Sequence, residues 1–418
     1  MYDVIIVGAR VAGSATAMLL ARRGLKVLAV DRANFPSDTL STHQVQVPGV
    51  AKLAEWGVLD GVLAAGTPPT RSVRFDTGHV TLSGPQPAYG GVDMMCSPRR
   101  TLLDKLLVDA ARAAGAQVRE NFIAEELTTE GGRVTGLRGR RKGGPAVTEQ
   151  ARLVVGADGR HSMVARSVRA RSYRTRPPRT LAYYTYWADV PLAGGELYSR
   201  PGLAVGAWPT GDGLAMTYLA RPAGQHAEFR RDVEGNFLRS LDTVGLGERV
   251  RAGRRAERFR GISDLLSFFR QPHGRGWALV GDAGLAMDPI TGQGISDAFR
   301  DAELLAGAVT AGLGGAARLD RALAGYQRAR DRAVAPMYNF TSQIARLAAP
   351  TPGELRLFEA LAASQRNTDQ FIGALAGVVP LREFMSPRNV TRLVGLGGLL
   401  RLIAGQAAAR RLQPAQLS

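Results

Sequence analysis

Glycine-rich turns that leave an apolar strand and open a helix are the segments of this chain best suited to chemistry. Such turns aim backbone N–H groups and the positive end of a helix at an anion. The first is VIIVGARVAG at residues 4–13. Gly8 and Gly13 stand where a dinucleotide fold needs a tight turn and close helix–strand packing, with Ala12 between them at the helix start. Asp31, followed by Arg32, ends the next apolar strand, the expected place for a carboxylate that accepts hydrogen bonds from an adenosine ribose. Arg10 departs from the pattern, because it replaces the middle glycine that lets the backbone approach a pyrophosphate. Its side chain must point away, and its guanidinium could then pair with a phosphate.

The second turn, VGDAGLAMDPITGQG at 280–294, also comes after an apolar strand. Asp282 offers a carboxylate to a sugar-like hydroxyl. After Pro289, the run Gly292–Gln293–Gly294–Ile295 opens a long helix. Apolar residues at 295, 298, 299, 302, 305, 306 and 309 keep helical spacing, so one face of that helix is buried. Its N-terminus suits an anionic edge such as N1–C2=O of a reduced flavin. Asp297 reads as a first-turn acid favoured by the helix dipole. A third turn, VVGADGRHS at 154–162, carries Asp158–Gly159.

On these three motifs, in this order, the chain resembles the FAD-dependent (group A) flavoprotein monooxygenase superfamily with the p-hydroxybenzoate hydroxylase fold. Geranylgeranyl reductases and flavin-dependent halogenases are relatives of that fold. The resemblance covers about residues 1–340. It implies that Asp282 contacts the ribityl chain of FAD and that the backbone of 292–295 contacts the flavin ring. It places Asp158 near both FAD and a passing nicotinamide nucleotide, and it carries Arg100, after Arg99, to the FAD. The loop holding Ser41, Thr42 and His43 would run beside the isoalloxazine, with His43 as a flavin-side or substrate-side group.

The elements that must position these residues are those of an α/β (α+β) chain. A Rossmann-like FAD-binding domain is expected at 1–71, 98–171 and 266–335. A mixed or antiparallel β-sheet substrate domain is inserted at 72–97 and 172–265, and a C-terminal helical segment fills 336–418. Three aromatic-rich strands lie within 181–220, separated by Gly/Pro turns. Alternation puts Tyr184 and Tyr186 on one face and Tyr183, Thr185 and Trp187 on the other. The family uses such a sheet as the floor of its substrate pocket, which makes Tyr184, Tyr186, Trp208 and Tyr218 substrate candidates. The apolar run 393–405, broken by Arg401, is too short to span a membrane and reads as an amphipathic helix, packed on the protein or touching a membrane surface or a greasy substrate.

Composition narrows the chemistry further. A single cysteine, Cys96, excludes a disulfide framework, a cysteine-rich metal site and electron relay through a cysteine pair; no metal is expected. The net charge of +18 would suit a nucleic acid, but only 4 of 54 basic residues are lysine and no nucleic-acid motif accompanies the scattered arginines. Neither an export signal nor a transmembrane segment is read, so the expected location is cytoplasmic.

The expected reaction comes from the resemblance. NAD(P)H, as a transient reductant, reduces FAD; O2 then gives a C4a-hydroperoxide that hydroxylates or epoxidises an apolar or aromatic small molecule of aromatic, polyketide or terpenoid type. Reduction could also come from a separate flavin reductase. A reductase of prenyl-type C=C bonds and a non-catalytic lipid-binding module are the alternatives. A halogenase of the tryptophan type would carry W-x-W-x-I-P, where this chain reads GAWPT at 206–210. The sequence indicates no oligomeric state.

Overall fold

Continuous apolar runs such as VIIV and VLAV are too short for helices and apolar on both faces, so they fold as buried parallel strands. The computed structural model describes residues 1–404 in full and the backbone of 405–411. The chain forms two compact units. The first holds 1–67, 96–178 and 264–342; the second holds 68–95, 179–263 and 343–418.

In the first unit the sheet order is His273–Gly274, Trp277–Leu279, Ala146–Gly156, Tyr2–Val7, Val27–Val30 and Gln117–Arg119. The five strands from Trp277–Leu279 onward run parallel. Ala146–Gly156 serves two sheets. Its first half pairs antiparallel with Arg133–Arg141, which in turn pairs with Phe122–Glu130, while its second half lies beside Tyr2–Val7. The helix Val11–Ala21 is buried at ten of its eleven positions. Its small residues Gly13, Ser14, Ala15 and Ala17 let the helices Arg100–Ala113 and Gly294–Leu313 pack closely on it. A three-stranded sheet of Ser172–Arg176, Ser267–Arg270 and Leu285–Ala286 completes the unit with the helix Leu319–Ile344.

The second unit is a mixed sheet in the order Arg254–Arg255, Thr180–Ala188, Ala215–Pro222, Leu203–Pro209, Gly195–Arg200, Ser72–Asp76 and Thr81–Pro85. Only Gly195–Arg200 and Ser72–Asp76 pair parallel along this path. One face, with Tyr183, Trp187, Val205, Ala207 and Leu219, is covered by Phe229, Phe237 and Leu241 from short helices. The helices Pro352–Ala362, Gln365–Leu375, Leu381–Phe384 and Pro387–Arg411 share a core with Leu82 of the edge strand. They therefore belong to the same unit as the sheet. Leu319–Ile344 runs unbroken through Pro336, so the division near 335 drawn from sequence falls inside a helix. The unit boundary lies at 342/343.

Candidate cofactor site

Three parallel strands end side by side, and their register aligns the turns that leave them. Val7 lies opposite Gly156, and Gly156 opposite Leu279. Their next residues are Gly8, Ala157–Asp158 and Val280–Gly281–Asp282, so the three motifs of the sequence emerge in a row at the carboxyl edge of one sheet. Ligands of open α/β sheets bind at that edge. Contact is close: Gly8 has φ +98°, and a Cβ there would lie 2.5 Å from the Ala157 carbonyl oxygen. Gly281 meets the fingerprint helix the same way, since its Cβ would fall 2.7 Å from Cβ of Ala12. Gly13 is buried in the same packing.

Asp31 is buried, and each carboxylate oxygen takes one backbone N–H, from Ala9 at 2.7 Å and from Ala33 at 2.8 Å. It thus shapes the turn while each oxygen keeps a further lone pair. Arg32 is exposed beside it. Arg10 has found partners of its own. Its guanidinium pairs with Asp104 at 2.6 Å and donates to Ser37 Oγ, the Ser37 carbonyl and the Asp38 carbonyl at 3.0–3.2 Å. Arg100 forks onto the same Asp104 at 2.9–3.1 Å. Two guanidiniums against one fully buried carboxylate leave a net positive charge beside the turn. Sequence reasoning missed Asp104, which stands among the leucines of its helix.

Asp282 is the most telling residue of the edge. Its side chain is exposed, yet it lies deep enough among protein atoms that desolvation pushes its carboxyl above the ordinary carboxylate range, opposed by Arg160 and Arg100. It accepts no hydrogen bond within the described residues, so its lone pairs are left for a ligand or solvent. Asp158 is differently placed. Its Oδ2 accepts from Met163 N–H at 2.6 Å and Val164 N–H at 3.3 Å, which holds the DG turn, and burial raises its pKa.

Pro289 begins a short turn capped by Asp288, whose Oδ1 accepts from Ile290 N–H at 3.1 Å. Gly292, at φ +62°, supplies the left-handed residue that redirects the chain. Gln293 is buried, Gly294 exposed and Ile295 buried at the head of Gly294–Leu313. The His43 loop reaches this helix head through Gln46, whose N–H donates to Ser296 Oγ at 3.1 Å and whose amide reaches the Thr291 carbonyl at 3.4 Å. His43 is buried with φ +59°, a left-handed backbone uncommon outside glycine, and its N–H donates to Ser41 Oγ at 3.1 Å. Thr42 is half-buried. Asp297 lies in the first turn of the helix and pairs with Arg300 at 2.6 Å.

Two further arginines lock the floor. Arg270 donates to the Ala283 carbonyl at 3.0 Å and the Arg160 carbonyl at 3.2 Å, tying the 281–284 loop to the DG turn. Arg330, fully buried, donates to the carbonyls of Gly284 and Arg270 and to Tyr173 Oη at 3.0–3.1 Å, with Asp331 as its counter-ion. Neither stood out in the sequence, where 327–332 reads QRARDR, a pattern like a solvated face.

The donor set fits FAD. A turn rich in backbone N–H groups with surplus positive charge suits a pyrophosphate, the unsatisfied carboxylate of Asp282 suits a polyol, and the Gly294 helix head suits an anionic ring edge. No cluster of residues able to hold a metal occurs among the described residues.

In the second unit Tyr184, Gly206 and Tyr218 lie in one register row, and Tyr186, Trp208 and Met216 in the next but one. All four candidate aromatics therefore share a face, opposite the one covered by Phe229 and Phe237, and all are buried. Tyr184 and Tyr186 meet edge-on at 5.9 Å. The Trp208 indole leans over Gly206, and its buried Nε1–H has no partner among the described residues.

Residues 1–191 match the family of FAD binding domains. The digeranylgeranylglycerophospholipid reductase of Methanocella arvoryzae is 30% identical over 71% of this chain and 74% of its own. Among solved structures, the flavin-dependent brominase Bmp2 superposes with a TM-score of 0.79 at 17% identity, covering 98% of this chain and 99% of that one. PqsL of Pseudomonas aeruginosa, described as a probable FAD-dependent monooxygenase, gives a TM-score of 0.69 at 23% identity over 89% and 99% of the two chains. No helix among the described residues is long and apolar enough to cross a membrane.

Proposed function

The chain belongs to the group A superfamily of FAD-dependent oxidoreductases, and from that premise we propose that it is a monooxygenase of an apolar or aromatic small molecule, reduced by NAD(P)H. The observation that carries this reading is the aromatic face of the second unit. Tyr184, Tyr186, Trp208 and Tyr218 offer flat apolar contact, and the Trp208 N–H is a donor with no acceptor among the described residues. Such a face selects a planar substrate bearing one acceptor, such as a phenol or a polyketide carbonyl.

FAD, when bound, supplies two-electron reduction and the activation of O2. The chain's own residues bind and orient it. Gly8, Ala12 and Gly13 bring backbone to the pyrophosphate, with Arg10 and Arg100 contributing field through Asp104 rather than a free guanidinium. Asp31 receives the ribose, and Asp158, Pro289, Gln293 and Ile295 hold the turns around the ring. Asp282 accepts from the ribityl chain, and the helix head at 292–295 stabilises negative charge at the ring edge. His43, in the loop that Gln46 ties to that helix head, is the candidate to hold or move a proton beside the flavin.

The test is isotopic. Purified holoprotein supplied with NAD(P)H, 18O2 and a panel of phenols and aromatic polyketides should yield a product carrying one labelled oxygen. Reduction of the flavin with no label in any product would oppose oxygenation. A second reading, reduction of prenyl-type C=C bonds, is favoured by the 30% identity to a prenyl-lipid reductase. It predicts anaerobic saturation of a prenyl substrate by the chemically reduced protein, an outcome oxygenation does not give. A separate flavin reductase is required only if NAD(P)H fails to reduce the purified chain.

A further inference from the structure

The C-terminal helix Pro387–Arg411 bends at Gly395, where φ is +72°. Beyond the bend one side is bolted to the second unit. Leu402 is buried, and its backbone approaches Gly353 so closely that a Cβ there would lie 3.0 Å from the Leu402 nitrogen. Leu399 packs on the same core. The outward side carries Leu396, Leu400 and Ile403, exposed to 71%, 66% and 55%. At 3.6 residues per turn these three fall within about 60° of arc, so they form one stripe. The other exposed large apolar residues described are scattered singly along the chain.

Charge decides what covers the stripe. After Glu383 the chain has no acid to its end, but five arginines at 388, 392, 401, 410 and 411. Exposed Arg401 stands on the flank of the stripe. A second copy of this chain would bring the same arginines against one another, on molecules that each carry +18. An anionic bilayer brings the opposite sign, and it accepts leucines and isoleucine at the acyl boundary. The helix is not apolar enough to span, so it would lie in the plane of the surface.

We propose that the outer face of the C-terminal helix at Leu396, Leu400 and Ile403 is a membrane-docking surface that seats the chain on anionic lipid, with these three side chains inserted and the exposed Arg388 and Arg401 at headgroup level. This holds whichever of the two reactions the flavin site performs.

Vesicle flotation of the full-length, FAD-loaded protein tests it. The chain should float with phosphatidylglycerol-containing vesicles at low ionic strength, bind pure phosphatidylcholine weakly, and be released by salt. The triple variant Leu396→Gln/Leu400→Gln/Ile403→Gln should lose about tenfold or more in partition, with unchanged melting and flavin content because the positions are exposed. Arg388→Gln/Arg401→Gln should reduce the preference for anionic lipid. No flotation, or equal partition of the triple variant, would overturn the proposal. So would a dimer that the triple variant dissociates without any vesicle binding, since the stripe would then be a chain–chain face.

Discussion

Asp282 and Asp104 are carboxylates of the same unit in opposite surroundings. Asp282 accepts nothing from the described residues, whereas Asp104 holds two guanidiniums and has no exposed surface. Replacing Asp104 by Ala leaves Arg10 and Arg100 crowded without their anion, which should cost about 3–5 kcal/mol of stability in urea unfolding. A cost under about 1 kcal/mol would show that the arginines find water or other acceptors. Cys96 makes a pH prediction. Burial pushes its thiol from 9.0 to about 12. The folded state then keeps a proton that the unfolded chain releases above pH 9, so stability is lost as pH rises through that window. Near pH 10.5 the loss is about 2 kcal/mol, and Cys96→Ala should flatten the slope of melting temperature between about pH 9 and 11. An unchanged slope would place the loss elsewhere. The glycine fingerprints were legible because their chemistry is local. The destination of Arg10 was not, because its partner lies 94 residues away and an acid within a leucine-rich helix gives no sign of burial.

At the scale of elements, the 281–288 loop is placed by the strand that delivers it and by a helix that comes much later in the chain. Arg330, from Leu319–Ile344, donates to the carbonyls of Gly284 and Arg270. Arg330→Met should remove both bonds and leave Asp331 uncompensated, lowering stability by about 3 kcal/mol. It should also speed FAD release, measured by the rise of flavin fluorescence on dilution. Arg330→Lys, a single point charge in place of a fork, should recover only part of both. A variant with normal stability and normal FAD release would remove Arg330 from this role. Strands and helices near the motifs were readable from apolar runs and helical spacing. The boundary at 335/336 was not readable, since a long helix packed on Phe269 and Leu285 runs on through Pro336.

For the whole molecule, the order of segments along the chain says little about which of them pack together. The first unit is assembled from three stretches and the second from three others. The C-terminal helices join the edge strand through Leu82, Phe371 and Leu361, contacts that no local pattern announces. What the chain does announce is a ligand that needs all three stretches of the first unit at once. FAD should therefore stabilise the fold by mass action, about 2.7 kcal/mol at roughly one hundred times its dissociation constant. The most direct test titrates the flavin-free protein with FAD, following fluorescence quenching and melting temperature, in the wild type and in Asp282→Ala. One FAD per chain, a raised melting temperature, and an affinity at least about tenfold weaker in the variant are the predicted results. A protein that stays colourless and unshifted by FAD, or a variant that binds as tightly as the wild type, would contradict an FAD site at this sheet edge.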